Sequence, residues 1–492
     1  MYILTQLAAN RVQYVPYRTL HLVQYPASTY SRVPCAVPST LECTMRQLSR
    51  VGCLLLFASG ARTREATKYT LSDGQGRCLD GTPGAYYVQL TASSSRQWYI
   101  YHEGGGFCSD LGDCALRSNS YLGSSRSEFW PPHLDLDAQE PHMGCVPMCL
   151  RVFTAVGVRA TQCVSVSPSA GTPMPSLSTP HRVRPFATRF STNATLNPLL
   201  STFNHVFLVY CDGAYFSGSN SSETIVNGVR LYFEGKAILD HVLVDLRTRF
   251  DFDLATDIVV GGCSAGTSIR QPGYVLASKA RAGCAGGIST FAHLDYIATH
   301  ANVPRGALVV GFPISGYYAD VPFYTNQKRF PFRQSNITDT LSAECLAKNS
   351  ARPHACLVAD VSAAYVTTPL FLWQSVYDAD QLATSFPQPC TNATCADPYA
   401  KHLAASIERS FGHSKHSGGF VDGCLHHCGF APRPQDDIAA MLIDGANALQ
   451  SFALWFDALT NSRRRTVATG ASRSWWWQSH RHFPCDDCCP KP

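Results

Sequence analysis

The run Asp257-Ile258-Val259-Val260 passes straight into Gly261-Gly262-Cys263-Ser264-Ala265-Gly266. A β-branched apolar stretch of this kind reads as a buried strand. The G-x-S-x-G pentapeptide that closes it is the sequence form of a nucleophile elbow, a sharp strand-to-helix turn with a serine oxygen at its tip. Glycines flank the serine because the turn is strained and neighbouring backbone comes close. Such a turn restricts the fold, since the strand must lie inside a sheet and a helix must start behind the serine.

Other segments supply that sheet. Residues 85–90, 97–101, 203–210 and 369–376 read as strands. Residues 236–249 set Ile238, Leu239, Val242, Leu243 and Leu246 at helical spacing, and 437–458 reads as a long amphipathic helix ending before Asn461-Ser462. Strands alternating with helices, with chemistry at the C-terminal strand ends, predict an α/β fold with a mostly parallel, doubly wound sheet flanked by helices. An apolar content of 45% is ample for a large core.

Two stretches break the order. Residues 145–190 are rich in Ser, Pro, Thr and Val, with Cys145, Cys149 and Cys163 and no clear period. Residues 267–286 lie where a helix should begin, yet contain Pro272 and Gly273, and proline there removes a helical hydrogen bond. Residues 285–297 read as the helix the elbow needs. Joining Gly287 directly to Gly266 restores Ser-Ala-Gly-Gly followed by an uninterrupted helix. Both stretches are therefore expected to be insertions, from retained introns or gene-model error. The second is expected to displace the helix behind Ser264 and loosen its packing on the strand.

Twenty-one cysteines in 492 residues argue for an oxidising compartment and several disulfides. Cys424-Leu425-His426-His427-Cys428 and Cys485-Asp486-Asp487-Cys488-Cys489 also suggest zinc ligands, but neither has a second properly spaced pair nearby. Four N-x-S/T sequons, at Asn193, Asn220, Asn336 and Asn392, are compatible with secretion. Residues 45–61 carry a signal-peptide pattern, with Met45, Arg46 and Arg50, an apolar run over 51–58, and the small residues Ala58-Ser59-Gly60-Ala61. Residues 1–44 read as a spurious or disordered extension, and 62–492 as a single catalytic domain. No apolar run is long enough to span a bilayer. The net charge of +5 is too mild to call for nucleic acid and leaves room for a polyanionic polysaccharide.

A nucleophilic serine needs a base, an orienter for the base, and donors for the developing oxyanion. In the α/β-hydrolase order, Ser precedes Asp or Glu, which precedes His. Asp378 stands just past the 369–376 strand, and His427 lies on a cysteine-bracketed loop. Gly104-Gly105-Gly106 ends the 97–101 strand and can present bare N–H groups, with Ala265 N–H as a further donor. Each piece also has a plainer reading. A glycine run is commonly a turn, Asp378 or Asp380 can simply cap a helix, and His426 or His427 can be a surface residue.

His102-Glu103-Gly104-Gly105-Gly106-Phe107-Cys108, Tyr210-Cys211-Asp212-Gly213-Ala214-Tyr215-Phe216-Ser217-Gly218, Gly262-Cys263-Ser264-Ala265-Gly266, Tyr377-Asp378 and Cys424-Leu425-His426-His427-Cys428 resemble the pectin acetylesterase family. This is also the family of the Notum carboxylesterases. The resemblance covers residues 78–490 apart from the two insertions. It implies an α/β-hydrolase-like fold, secretion, and ester hydrolysis through an acyl-serine without metal or organic cofactor. By motif, it implies Ser264 as nucleophile, Asp378 as orienting acid, His427 as base, and the N–H groups of Gly105, Gly106 and Ala265 as oxyanion donors. The Tyr-Cys-Asp-Gly-Ala segment and Cys428 are similar to the polysaccharide-acting branch, whereas lipid-removing members carry a bulky aromatic residue where this chain has Gly106. Thr267 departs from the family's second glycine. The expected activity is removal of O-acetyl groups from pectin or a related cell-wall polysaccharide. The alternatives are a carboxylesterase of longer acyl chains, including lipidated protein, and a secreted binding protein inactivated by the insertion.

Overall fold

The computed structural model describes residues 65–91, 95–136, 189–264, 286–412, 414, 416–429, 438–463, 473–478, 482–483, 485 and 489–490. Residues 1–61, positions 145–188, Ala265 and the 267–285 stretch lie outside them.

The strands are β1 (Ala66–Thr70), β2 (Ala85–Gln89), β3 (Gln97–His102), β4 (His133–Leu134), β5 (Asn204–Leu208), β6 (Asn220–Val226), β7 (Val229–Phe233), β8 (Asp257–Cys263), β9 (Leu308–Ile314), β10 (Phe371–Ser375), β11 (Gly418–Asp422) and β12 (Trp475–Trp477). Helices include α1 (Leu111–Arg117), α2 (Gly235–Arg249), α3 (Gly286–Thr299), α4 (Ala379–Thr384) and α5 (Ala448–Arg463). All strands but the β6–β7 hairpin form one ten-stranded sheet, ordered β12-β11-β10-β9-β8-β3-β5-β2-β1-β4. From β12 to β5 every pairing is parallel, and β2, β1 and β4 add an antiparallel edge. This is the expected mostly parallel α/β architecture.

β8 sits centrally between β9 and β3, and all seven of its residues are buried. A parallel strand covered on both faces needs a continuous apolar run, which is what 257–260 offers. Ile258 and Val260 join Trp98, Ile100, Val206 and Leu208 in one core, which takes Ile238, Leu239, Val242, Leu243 and Leu246 from α2. Val259 points into a second core with Tyr99, Phe207, Val310 and Phe312, closed by Phe452, Trp455 and Phe456 of α5.

The helix expected over 437–458 is corrected. α5 begins at Ala448 and runs to Arg463, through Asn461-Ser462. Asp444 and Gly445 have φ of 51° and 83°, a left-handed turn that no α-helix accommodates. Asn447 then opens the helix: its side chain accepts from Gln450 N–H (2.9 Å) while the Gln450 side chain accepts from Asn447 N–H (3.0 Å).

Six disulfides join described residues: Cys78–Cys211, Cys108–Cys114, Cys263–Cys428, Cys345–Cys356, Cys390–Cys395 and Cys424–Cys489. The thiols of Cys424 and Cys428 are thus held in bridges. Among the described residues, no helix is long and apolar enough to cross a membrane.

Candidate active site

Ser264 leaves the end of β8 with φ 73°, a left-handed conformation that an L-residue keeps only when its surroundings impose it. Its N–H donates to the Ile314 carbonyl at the end of β9 (2.7 Å). Its carbonyl accepts from Gly287 N–H (2.6 Å) and Ile288 N–H (3.0 Å) in the first turn of α3. The helix lies against the strand so closely that a Cβ on Gly262 would come within 2.3 Å of the Gly286 carbonyl oxygen. The expected displacement of this helix is therefore corrected. Gly287 stands directly behind the elbow, and two of the orphan N–H groups of α3, those of Gly287 and Ile288, are satisfied by the elbow carbonyl.

The hydroxyl of Ser264, which is wholly buried, is hydrogen-bonded to His427 Nε2. On the other side of the ring, His427 Nδ1 lies 2.8 Å from both carboxylate oxygens of Asp378. Asp378 is also wholly buried and caps α4, accepting from Asp380 N–H and Gln381 N–H at 3.0 Å each. Capping the helix and orienting the imidazole, which the sequence offers as alternatives, are done by one carboxylate. The three residues come from the ends of β8 and β10 and from the loop after β11, which with β9 make four adjacent parallel strands. A serine hydroxyl on one imidazole nitrogen, with a carboxylate fixing the opposite nitrogen, is equipped for proton abstraction and acyl transfer.

The neighbouring candidates face elsewhere. His426 Nε2 lies 3.0 Å from both oxygens of Asp422, in a pair shut off from solvent. Asp380 accepts from the Tyr318 hydroxyl (2.6 Å). The loop after β11 is turned by Cys428, with φ 58°, and anchored three ways. Cys428 N–H donates to Ser315 Oγ (2.9 Å), Arg189 Nη2 donates to its carbonyl (2.7 Å), and its sulfur is bonded to Cys263. That bridge joins the residue before the serine to the residue after the histidine. The sequence reading left this pairing, Arg189 and Ser315 unassigned. The bridge had a signal, because two cysteines flank two residues that must touch, but the two other anchors lie far from the motifs and carry none.

Gly105 and Gly106 follow β3, which pairs with β8 through His102 and Gly262, so the glycine loop leaves the sheet beside the elbow. Gly106 has φ 73°, and a Cβ on Gly105 would meet Tyr210 Cδ1 at 2.4 Å. Among the described residues, nothing accepts a hydrogen bond from the N–H of Gly105 or Gly106. Ala265, the third expected donor, lies outside the described residues. The loop's root is fixed by a buried run in which His102 Nδ1 meets the Gly261 carbonyl (3.2 Å) and His102 Nε2 meets His293 Nδ1 (3.2 Å). His293 Nε2 then meets Ser217 Oγ (2.8 Å). Burial pushes His102 down to about 4 and His293 well below the usual imidazole range, so both rings stay neutral and link the loop to β8 and α3.

The sequence model of the family described as Pectinacetylesterase matches residues 64–134, 157–269 and 281–459, most of the chain. The chain belongs to the pectinacetylesterase family. It is a carboxylic ester hydrolase. Pectin acetylesterase 5 of Arabidopsis thaliana is 24% identical over 385 residues, covering 71% of this chain and 70% of the relative. Pectin acetylesterase 4 of the same plant is 27% identical over 312 residues, covering 62% of this chain and 57% of the relative. The palmitoleoyl-protein carboxylesterase NOTUM of Schmidtea mediterranea is 24% identical over 377 residues, covering 71% and 55%. The chain thus spans less than two thirds of the second and third of these. The family match pauses at 135–156 and again at 270–280.

Proposed function

We propose that this chain is a secreted serine esterase that removes O-acetyl groups from pectin or a related cell-wall polysaccharide. The observation that carries the reading is the hydrogen-bonded line Ser264–His427–Asp378 at the C-terminal edge of a parallel sheet, in a chain of the pectinacetylesterase family. His427 Nε2 takes the Ser264 proton as Oγ attacks the acetyl carbonyl. The oxyanion is met by the N–H groups of Gly105 and Gly106, with Ala265 N–H as the third donor. His427 gives the proton to the sugar oxygen as its bond to the acetyl carbon breaks, so that it leaves as a hydroxyl. It then activates a water that attacks the acyl-serine, releasing acetate and restoring Ser264. Asp378 holds the imidazole in the tautomer with its proton on Nδ1 throughout. The six bridges among the described residues support an oxidising compartment, and residues 45–61 are proposed as the leader. The interruption of the family match at 270–280 supports reading 267–286 as an insertion in a single catalytic domain.

The test is active-site labelling with a fluorophosphonate alongside acetate release from acetylated pectin. Labelling of the intact chain that disappears in Ser264→Ala, with acetate release falling by about 10⁴-fold or more, is expected. An unlabelled intact chain refutes the serine mechanism. Preferential release of long acyl groups from model esters would move the substrate to the lipid-removing type.

A further inference from the structure

A wholly buried arginine lies behind the glycine loop. Arg117, the last residue of α1, donates from Nη1 to the Gly105 carbonyl (2.5 Å) and from Nη2 to the Phe107 carbonyl (3.2 Å). Between those two anchors, the Tyr210 hydroxyl donates to the Gly106 carbonyl (2.5 Å). Three successive carbonyls of the loop are therefore each held by a buried side chain. In a trans peptide, the C=O of one residue and the N–H of the next point in opposite directions. Anchoring Gly105 C=O on Arg117 therefore aims Gly106 N–H away from the guanidinium, and anchoring Gly106 C=O on Tyr210 does the same for Phe107 N–H.

Both anchors are braced. Cys114 of α1 is bridged to Cys108, just past the loop, and Cys211, next to Tyr210, is bridged to Cys78. Tyr210 N–H also donates to the carboxylate of Glu103 (2.7 Å), at the loop's start. Placing a cation in the interior is costly unless it is hydrogen-bonded, and the loop carbonyls are what Arg117 bonds. A guanidinium on the carbonyl side also polarises the peptide, making the N–H on the far side a stronger donor.

We propose that Arg117 and Tyr210 are positioning residues for the esterase reaction. They grip the glycine loop by its carbonyls: Arg117 fixes the peptide that presents Gly106 N–H to the oxyanion, and Tyr210 fixes the peptide on the other side of Gly106. This rests on the reading of Ser264 as nucleophile and of the glycine loop as oxyanion donor. Because they act on the transition state rather than on substrate binding, their loss should appear in kcat and not in KM.

The experiment compares Tyr210→Phe and Arg117→Lys in the full chain, measuring kcat and KM for acetyl-ester hydrolysis, thermal unfolding, and inhibition by a trifluoromethyl ketone. Arg117→Lys is expected to lower kcat by about 100-fold, the scale of one lost oxyanion donor. Tyr210→Phe, which removes a single hydroxyl, should lower it by about tenfold. KM should stay within about twofold in both, and ketone affinity should fall in step with kcat. Guanidinium added to Arg117→Ala should restore part of its kcat. If Arg117→Lys does not fold, Tyr210→Phe decides. A folded Tyr210→Phe with unchanged kcat, or a change confined to KM, overturns the proposal while Ser264→Ala remains inactive. Activity retained in Ser264→Ala overturns the serine reading and this proposal together.

Discussion

Two adjacent histidines each hold a buried carboxylate, and their surroundings set their uses apart. His427 contacts Asp378 on one nitrogen and the Ser264 hydroxyl on the other, whereas His426 is closed off against Asp422. His427→Gln should therefore lower kcat by about 10⁴-fold or more with little change in unfolding temperature. His426→Gln should keep kcat within about tenfold but destabilise the fold by about 1–3 kcal/mol, because it leaves Asp422 with the Cys424 N–H (3.0 Å) while Asp378 keeps the N–H groups of both Asp380 and Gln381 when His427 is changed. Acetate release and thermal unfolding of both variants check this, and the reverse pattern would reassign the base. No sequence signal separates the two rings, since they share one pair of bracketing cysteines. The choice comes from the path of the loop, through Cys428 at positive φ and its anchors on Ser315 and Arg189. Asp378 and Asp380 are likewise both compatible with the sequence past the 369–376 strand, and the fold separates them by turning Asp380 to the Tyr318 hydroxyl.

The helix behind the elbow shows how elements outlast an interruption in the chain. Periodicity over 285–297 predicts it, and α3 spans Gly286–Thr299 because its apolar face buries Ile288, Phe291, Leu294 and Ile297. Its first turn gives Ser264's carbonyl two N–H donors, Gly287 and Ile288. If 267–286 are excised, those residues stand three and four positions after the serine, the spacing of 3₁₀ and α-helical bonds. Ala265-Gly266 recurs as Ala285-Gly286, so removing 265–284 leaves the same sequence. The shortened chain is therefore expected to fold with the elbow geometry intact. Its kcat should be at least that of the full chain and its unfolding temperature higher, since a closed loop costs entropy that grows with length. Unfolding scans and acetate release on the two proteins check it, and a shortened chain that fails to fold refutes the insertion reading. The start of α5 is not legible in the same way, because apolar spacing cannot register a left-handed turn at Asp444-Gly445.

Across the molecule, the buried titratable groups set a pH dependence of stability. Burial lowers His102 and His205 to about 4 and His293 further, below their unfolded values near 6.5. Between these values the unfolded chain binds more protons than the folded one. The stability these groups contribute is thus present above pH 6.5 and lost as pH falls toward 4. Asp212 works the other way: burial raises it to about 6, so its contribution is fully present below its unfolded value of 3.8 and is lost as pH rises through 6. Three histidines outweigh one carboxyl, at about 1.4 kcal/mol per pH unit for each group. The unfolding temperature should be lower at pH 4.5 than at pH 7, and a scan showing it unchanged or higher would contradict the burial of these rings.

From its linear pattern, the chain announces a parallel α/β sheet, a serine at the tip of a buried strand, and the order of its partners, because local periodicity and turn chemistry act over a few residues. Which histidine reaches the serine, where the helix behind it starts, and what holds the glycine loop from behind depend on contacts between segments distant in the sequence. Arg117, Arg189, Ser315 and the Cys263–Cys428 bridge acquire their roles only when the sheet brings those segments together, and residue type and spacing hold no record of that.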